Sequence, residues 1–244
     1  MASIAKMMTL AASQRKKAGS MTTQPRRALG IIGLEIGLAP GEFPPPEPGS
    51  VFNPATFDFP IIIETAAGAL TDRVIRGDPA LEPAYIEAAG RLIGRGAVAI
   101  TGDCGFSIRH QAAVAASVKV PVAMSSLLLA PTLLRQLPAD AKLAVVTADS
   151  RHCGVDLLGV DDLAARSRVV IGGMEGDTWW TSVAKMEAGV STCVARLRAA
   201  HPEIAALLFE CTLLPKVTPA IRRITGLPIY DTATLYRMTF ASVA

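Results

Sequence analysis

The sequence predicts an α/β fold of two similar lobes, each with a four-stranded parallel sheet, related by a pseudo-twofold axis. Two observations predict this fold. Short apolar runs alternate with helix-length segments along the chain, which is the pattern of βαβ units. In addition, one stretch of the first half is repeated in the second half. Two such lobes are expected to hold an active site in the cleft between them.

Eight apolar runs are predicted strands. Most of them are continuous rather than alternating, as expected for parallel strands that are covered on both faces. The predicted strands are 28–34, 60–66, 97–101, 120–124, 143–147, 168–172, 206–210 and 227–231. The predicted helices between them are 83–95, 107–117, 126–136, 181–200 and 215–225.

The repeat consists of a strand, an acid, a cysteine, a turn, a helix and a second strand. Cys104 lies 17 residues before Pro121, and Cys211 lies 17 residues before Pro228. The other equivalent pairs are Asp103 and Glu210 directly before the cysteines, and Arg109 and Lys216 five residues after them. Each half is therefore expected to carry one cysteine at the same place in its sheet.

The predicted division of the chain has three parts. A basic, flexible leader covers 1–27, the first lobe covers 28–125 and is joined by the C-terminal segment 231–244, and the second lobe covers 126–230. The leader carries six cations and no acid, a composition shared by transit peptides, mis-assigned upstream starts and flexible basic tails. Without it, 18 basic and 21 acidic residues remain, so the folded part is mildly acidic.

Composition excludes several classes of protein. A mildly acidic body with 5% aromatic residues lacks the basic stripe and stacking residues of a nucleic-acid binder. The longest uncharged apolar run, 120–134, has 15 residues, whereas a membrane helix needs about 20. No nucleic-acid partner and no membrane span are expected.

The four cysteines and three histidines lack the spacing of a metal site or a redox dithiol. Reduced thiols in a cytoplasmic protein are the expectation, with organelle import as an alternative because of the leader. Cys153 and Cys193 are interpreted as structural. The proline-rich loop 37–59 is a lid, a binding loop or a rigid surface wrap.

Both cysteines follow predicted strands at the carboxyl end of the sheet, where ligands bind in open α/β folds. The helix after each cysteine is expected to favour the thiolate through its positive N-terminus. Two thiols on opposite sides of one substrate can remove a proton from one face of a carbon next to a carboxylate and return it to the other. This chemistry needs no cofactor.

The polar neighbours of the cysteines allow two interpretations each. Asp103 and Glu210 are either proton acceptors or hydrogen-bonding groups at the end of the sheet. Arg109 and Lys216 are either anchors for a substrate carboxylate or solvated surface. Hydroxyls also follow the strand ends, at Ser125, Ser126, Thr147, Ser150, Thr212 and Thr232.

The chain resembles the aspartate/glutamate/hydantoin racemase superfamily over residues 28–240. The resemblance rests on the segments GDCGF and ECTLLP, the strands VPV and LPI, and the loop NPATFDFP. It implies that Cys104 and Cys211 are the opposed acid/base pair, that the substrate is a small carboxylate and that the protein is a dimer or tetramer. The predicted substrate-binding residues are Gly105, Phe106, Ser125, Ser126, Thr147, Thr212 and Thr232.

The chain departs from the glutamate racemase pattern. GLEIG replaces Asp-Ser-Gly, Gly105-Phe106 replaces Asn-Thr, and Leu213 replaces a histidine, so glutamate is not the expected substrate. The segments ITGDCGF, PVAMS, ECTLLP and GLPIYDTAT are more similar to the branch that contains the Alma-type dimethylsulfoniopropionate lyases. In that branch a cysteine removes the α-proton and dimethyl sulfide leaves from the β-carbon.

The leading prediction is therefore a cofactor-independent racemase or epimerase that uses both cysteines at a carbon α to a carboxylate, on an amino acid, hydantoin or related acid. A β-elimination lyase with the same cysteine base is the first alternative, because both reactions begin with the same step. A non-catalytic small-molecule binding protein and an amidohydrolase with one nucleophilic cysteine are the others.

Overall fold

The computed structural model describes residues 27–36, 47–174 and 179–244. The predicted leader, except for Arg27, and residues 37–46 of the proline-rich loop lie outside these ranges. In the described part of the chain, no helix has the length and apolar character needed to cross a membrane.

The described residues form two four-stranded parallel sheets, which confirms the predicted fold class. The strands are β1 (Ala28–Gly33), β2 (Ile61–Thr65), β3 (Ala97–Gly102), β4 (Val122–Ala123), β5 (Lys142–Thr147), β6 (Val169–Gly173), β7 (Ile204–Phe209) and β8 (Ile229–Tyr230). The strand order is β2-β1-β3-β4 in one sheet and β6-β5-β7-β8 in the other. The inner strands are buried on both faces, which explains their continuous apolar sequence.

The helices cover both faces of the sheets. They are α1 (Thr71–Arg76), α2 (Glu82–Gly94), α3 (Gln111–Ser117), α4 (Ala130–Gln136), α5 (Leu163–Ser167), α6 (Val183–Ala200), α7 (Thr218–Thr225) and α8 (Thr232–Ala241). Helices α1, α5 and α8 are not among the predicted ones, since the first two are too short to show periodicity. Asp231 is the N-cap residue of helix α8, and its carboxylate accepts a hydrogen bond from the Thr234 amide at 2.8 Å.

The two sheets repeat each other down to individual hydrogen bonds. The Ile100 amide donates to the Pro121 carbonyl, and the Leu207 amide donates to the Pro228 carbonyl, each at 2.9 Å. Because proline has no amide hydrogen, β4 and β8 pair only beyond these prolines and are two residues long. The predictions of five residues for each were too long.

The segments that follow β4 and β8 each pack on the sheet of the other half of the chain. The 3₁₀ turn Ser126–Leu129 follows β4 but packs on β7, and helix α8 follows β8 but packs on β1 and β3. The Ser126 hydroxyl donates to the Phe209 carbonyl at 2.7 Å. The Tyr236 hydroxyl donates to the Gly102 carbonyl at 2.9 Å. These carbonyls end β7 and β3, so each strand that leads to a cysteine is tied to the other half of the chain.

The described part of the proline-rich loop packs on the first sheet and on α8. Val51 and Phe57 are buried in one apolar cluster with Tyr236, and the rings of Phe59 and Phe240 stack at 4.3 Å. Residues 50–59 are thus a wrap on the core rather than a free lid.

Candidate active site

The two cysteines lie directly beyond the carboxyl ends of β3 and β7, which are inner strands of their sheets. Each is partly buried and has a free thiol. The Asp103 amide donates to the Ile32 carbonyl and the Glu210 amide donates to the Val146 carbonyl, both at 2.9 Å, so the chain enters the two sites in the same way. The structure therefore places Cys104 and Cys211 at equivalent positions, as the repeat predicts.

Contacts between the lobes bring the two cysteine segments together. The Thr212 hydroxyl donates to the Asp103 carbonyl at 2.9 Å. In the equivalent contact, a Cβ atom on Gly105 would overlap both the carbonyl and the carboxylate of Glu210. The residue after each cysteine thus lies against the acid before the other cysteine, and both thiols belong to one inter-lobe site.

The two halves differ in what fills this contact. Thr212 fills it with its own side chain, whereas Gly105 leaves a space that the Glu210 carboxylate occupies. The Glu210 Oε2 atom accepts hydrogen bonds from the Thr147 hydroxyl at 2.9 Å and the Ala148 amide at 3.3 Å. Glu210 is therefore held by the end of β5, the strand next to β7 in its own sheet.

Both acids are buried, Asp103 to 7% and Glu210 to 1% exposure. Burial raises the pKa of Glu210 to about 7, against the opposing hydrogen bonds from Thr147 and Ala148. Burial also raises the pKa of Asp103 to about 8, against the opposing effects of Thr212 and Lys216. Both carboxyl groups therefore exchange a proton near neutral pH more readily than an exposed acid does, and the carboxylate of Glu210 is also a hydrogen-bond acceptor at the sheet end.

The thiols are not activated in the way the sequence suggests. Burial raises the pKa of Cys104 and of Cys211, and the charge of Glu210 raises both further. The amides of Phe106 and Leu213 bond to the two thiols and oppose these shifts. A 3₁₀ turn follows each cysteine and the α-helices begin further along the chain, at Gln111 and Thr218, and burial of the thiols outweighs the stabilisation of a thiolate by these turn amides.

The two cations predicted near the cysteines are engaged elsewhere. Arg109 is exposed and donates to the His152 carbonyl of the other lobe at 2.9 Å. The Lys216 ammonium group forms an ion pair with Glu47, and its side chain is 12% exposed. Gly49 has a φ of +77° and packs closely against the Lys216 backbone, which accounts for a glycine at this position. The segment 47–49, directly before the wrap, therefore covers Lys216.

The predicted substrate-binding residues all lie at strand ends, but most of their polar atoms have internal partners. The Ser125 hydroxyl accepts from the Leu127 amide at 3.2 Å, and those of Ser126, Thr147 and Thr212 donate to the groups named above. Phe106 is buried at 1% exposure. Among the described residues, the Thr232 hydroxyl is buried without a hydrogen-bond partner.

The sequence does not predict two groups of side chains that lie near the cysteines. The Ser107 amide donates to the Cys104 carbonyl, and the Ser107 hydroxyl lies 2.9 Å from the hydroxyl of Tyr85, whose ring stacks on His110. Cys153 is buried, and burial together with the charge of Glu210 raises its pKa to about 12. Tyr85 and Cys153 come from segments outside the cysteine repeat, so spacing along the chain does not indicate that they lie near the cysteines.

No family model matches the chain. A dimethylsulfoniopropionate lyase from Durusdinium sp. clade D is 31% identical over 225 residues, which cover 84% of this chain and 71% of that protein. Dimethylsulfoniopropionate lyase 3 from Emiliania huxleyi is 28% identical over 88% of this chain and 60% of that protein. The chain thus spans about 60 to 71% of the length of these two relatives.

Solved structures of racemases share the fold. Allantoin racemase from Klebsiella pneumoniae matches with a TM-score of 0.62 at 9% identity, over 89% of this chain and 87% of that one. Glutamate racemase from Francisella tularensis matches with a TM-score of 0.54 at 18% identity, over 90% and 81%. The racemase structures confirm the predicted fold, and the 31% identical relative confirms the predicted lyase branch: the chain is an enzyme that belongs to the dimethylsulfoniopropionate lyase family.

Proposed function

We propose that the protein cleaves dimethylsulfoniopropionate, or a related β-sulfonio carboxylate, by β-elimination. The observation that carries the proposal is the pair of equivalent thiols in one inter-lobe site with the buried Glu210 carboxyl group beside them. The sequence identity of 31% and 28% to two dimethylsulfoniopropionate lyases supports elimination over racemisation. We therefore propose elimination as the main reaction, whereas the sequence alone ranks racemisation first.

The proposed step begins with a cysteine thiolate, which takes the proton from the carbon α to the substrate carboxylate. The C–H electron pair becomes the second bond between Cα and Cβ. The Cβ–S bond breaks, and its electron pair leaves on the sulfonium sulfur as neutral dimethyl sulfide. The products are acrylate, dimethyl sulfide and one proton, held first on the cysteine.

The charges of the site suit a leaving group that is cationic. Two thiols and two buried acids surround the reacting region, and the nearby cation Lys216 is already paired with Glu47. A positive sulfonium next to these groups would favour the ionised forms of the acids and the thiol, because an opposite charge stabilises an anion in a buried site. A neutral substrate would give no such compensation.

Thr232 is proposed to donate to the substrate carboxylate. Because its buried hydroxyl has no partner within the described residues, replacing Thr232 by valine removes no internal hydrogen bond. We expect Thr232→Val to unfold within a few degrees of the wild-type protein but to raise KM about tenfold, the effect of one hydrogen bond to a charged group.

The matched control is Thr212→Val, which leaves the Asp103 carbonyl without its partner and should lower the unfolding temperature. Thermal unfolding and Michaelis kinetics on both variants test the assignment. An unchanged KM in Thr232→Val would contradict it.

Racemisation is the second candidate, because both thiols occupy equivalent positions and two-base chemistry uses both. Proton NMR in deuterated water separates the two reactions. Elimination predicts acrylate from dimethylsulfoniopropionate, whereas racemisation predicts α-deuterated acids, with inversion, from a panel of chiral amino acids and hydantoins. Exchange and inversion without acrylate would replace the lyase proposal by the racemase.

We propose a dimer or tetramer located in the cytoplasm. We also retain the division into lobes 28–125 with 231–244 and 126–230, which agrees with the packing of α8 on the first sheet.

A further inference from the structure

The Glu210 carboxylate is the feature that breaks the symmetry of the site. It leaves the end of β7 and lies against Gly105, the residue that follows Cys104 in the other lobe. The equivalent contact of the other half holds the Thr212 hydroxyl instead. One acid therefore lies against the turn that follows the first cysteine, on the opposite side of the interface.

The hydrogen bonds of Glu210 fix which oxygen faces Cys104. Oε2 accepts from the Thr147 hydroxyl and the Ala148 amide at the end of β5. Oε1 is the atom that the missing Gly105 side chain would overlap. The carboxylate is thus held by one oxygen and presents the other towards the turn of Cys104.

The groups that face Glu210 are mostly acidic. The charge of Asp149 raises the pKa of Glu210. The charge of Glu210 in turn raises the pKa values of the thiols of Cys104, Cys211 and Cys153. Asp103 also acts on the thiols of Cys104 and Cys211, and Lys216 acts on that of Cys211. Neutralising Glu210 would therefore lower the pKa of Cys104.

We propose that Glu210 and Cys104 share one proton across the lobe interface, so that Glu210 holds the proton whenever Cys104 is a thiolate. The S–H bond breaks, its electron pair stays on the Cys104 sulfur, and the proton passes to Glu210 Oε1. Glu210 is then a positioning residue that acts through Cys104. This role deepens the proposed function, which requires a cysteine base.

The proton balance closes over one turnover. The thiolate takes the α-proton and becomes a thiol again, while Glu210 is still protonated. Glu210 then releases its proton to solvent, which accounts for the proton that elimination produces.

Two coupled groups predict a characteristic pH profile for Cys104 reactivity. Cys104 and Glu210 together lose their first proton near pH 7. Above this pH they share one proton, and the fraction of Cys104 that is a thiolate depends on which of the two groups holds it. That fraction does not rise further with pH. In Glu210→Gln, the thiolate fraction should instead rise about tenfold per pH unit through this range, as for an isolated thiol.

The experiment measures iodoacetamide alkylation of Cys104 by peptide mass spectrometry from pH 5.5 to 9.5. The wild-type rate should level off above pH 7, and Glu210→Gln should show no plateau. Glu87→Gln, the same change on the exposed surface of α2, is the control and should keep the wild-type profile. A plateau that persists in Glu210→Gln, or that is lost in Asp103→Asn instead, would overturn the proposal.

Thr147→Val provides a second variant if Glu210→Gln does not fold. Loss of the Thr147 hydrogen bond should raise the pKa of Glu210 and move the plateau of Cys104 to higher pH. A plateau at the same pH would count against the shared proton. Alkylation needs no substrate, so these results stand apart from whether dimethyl sulfide is formed.

Discussion

Replacing Cys104 by serine is expected to lower dimethyl sulfide release by a factor of about 10² to 10⁴, the usual contribution of a general base. The hydroxyl of serine is a far weaker acid than a thiol, so it supplies no base near neutral pH. The rate is measured by gas chromatography of the headspace under saturating dimethylsulfoniopropionate. Unfolding curves confirm that the variant is folded.

Cys193→Ser is the matched control, because Cys193 is buried in α6 against the second sheet. It should keep the wild-type rate at temperatures where it remains folded. Cys211→Ser separates the two reactions. If Cys104 is the base of an elimination, Cys211→Ser should lose less activity than Cys104→Ser. If both cysteines act in a racemisation, the two variants should lose activity equally. A Cys104→Ser enzyme within fivefold of the wild-type rate would rule out Cys104 as the base.

Gly105→Ala is expected to destabilise the protein by about 1 to 3 kcal/mol, the range for overpacking a filled interior. The new methyl group would overlap both the carbonyl and the carboxylate of Glu210, so the lobes or the Glu210 side chain must move. Because the displaced carboxylate faces Cys104, activity should fall as well. Urea unfolding gives the change in the free energy of unfolding.

Gly90→Ala tests the same substitution where space is available. A Cβ atom on Gly90 meets no other atom within 4 Å, and the residue lies inside helix α2. Alanine should therefore leave stability unchanged or increase it by up to about 1 kcal/mol. Equal effects of the two substitutions would show that the Gly105 contact has no special role.

The strands and the positions of the cysteines could be predicted from the sequence because they depend on local patterns. Continuous apolar runs indicate buried parallel strands, and the 17-residue spacing to Pro121 and Pro228 places Cys104 and Cys211 at matching strand ends. The prolines also account for the two short strands, since a residue without an amide hydrogen cannot extend the ladder.

The contacts between the lobes could not be predicted in the same way. The position of Glu210 against Gly105 depends on how two sheets pack, and no spacing within either repeat encodes it. The ion pair of Lys216 with Glu47 joins residues 169 positions apart. Burial has the largest effect on the pKa values of the thiols and outweighs the amides that follow each cysteine, and no spacing along the chain encodes burial.

The most direct test of a cysteine-dependent elimination is the stoichiometry of the reaction with dimethylsulfoniopropionate. The wild-type protein should release dimethyl sulfide and acrylate in equal amounts, and the Cys104→Ser/Cys211→Ser double variant should release neither above the uncatalysed rate. Absence of dimethyl sulfide from the wild-type reaction, or undiminished release by the double variant, would contradict a cysteine-dependent elimination.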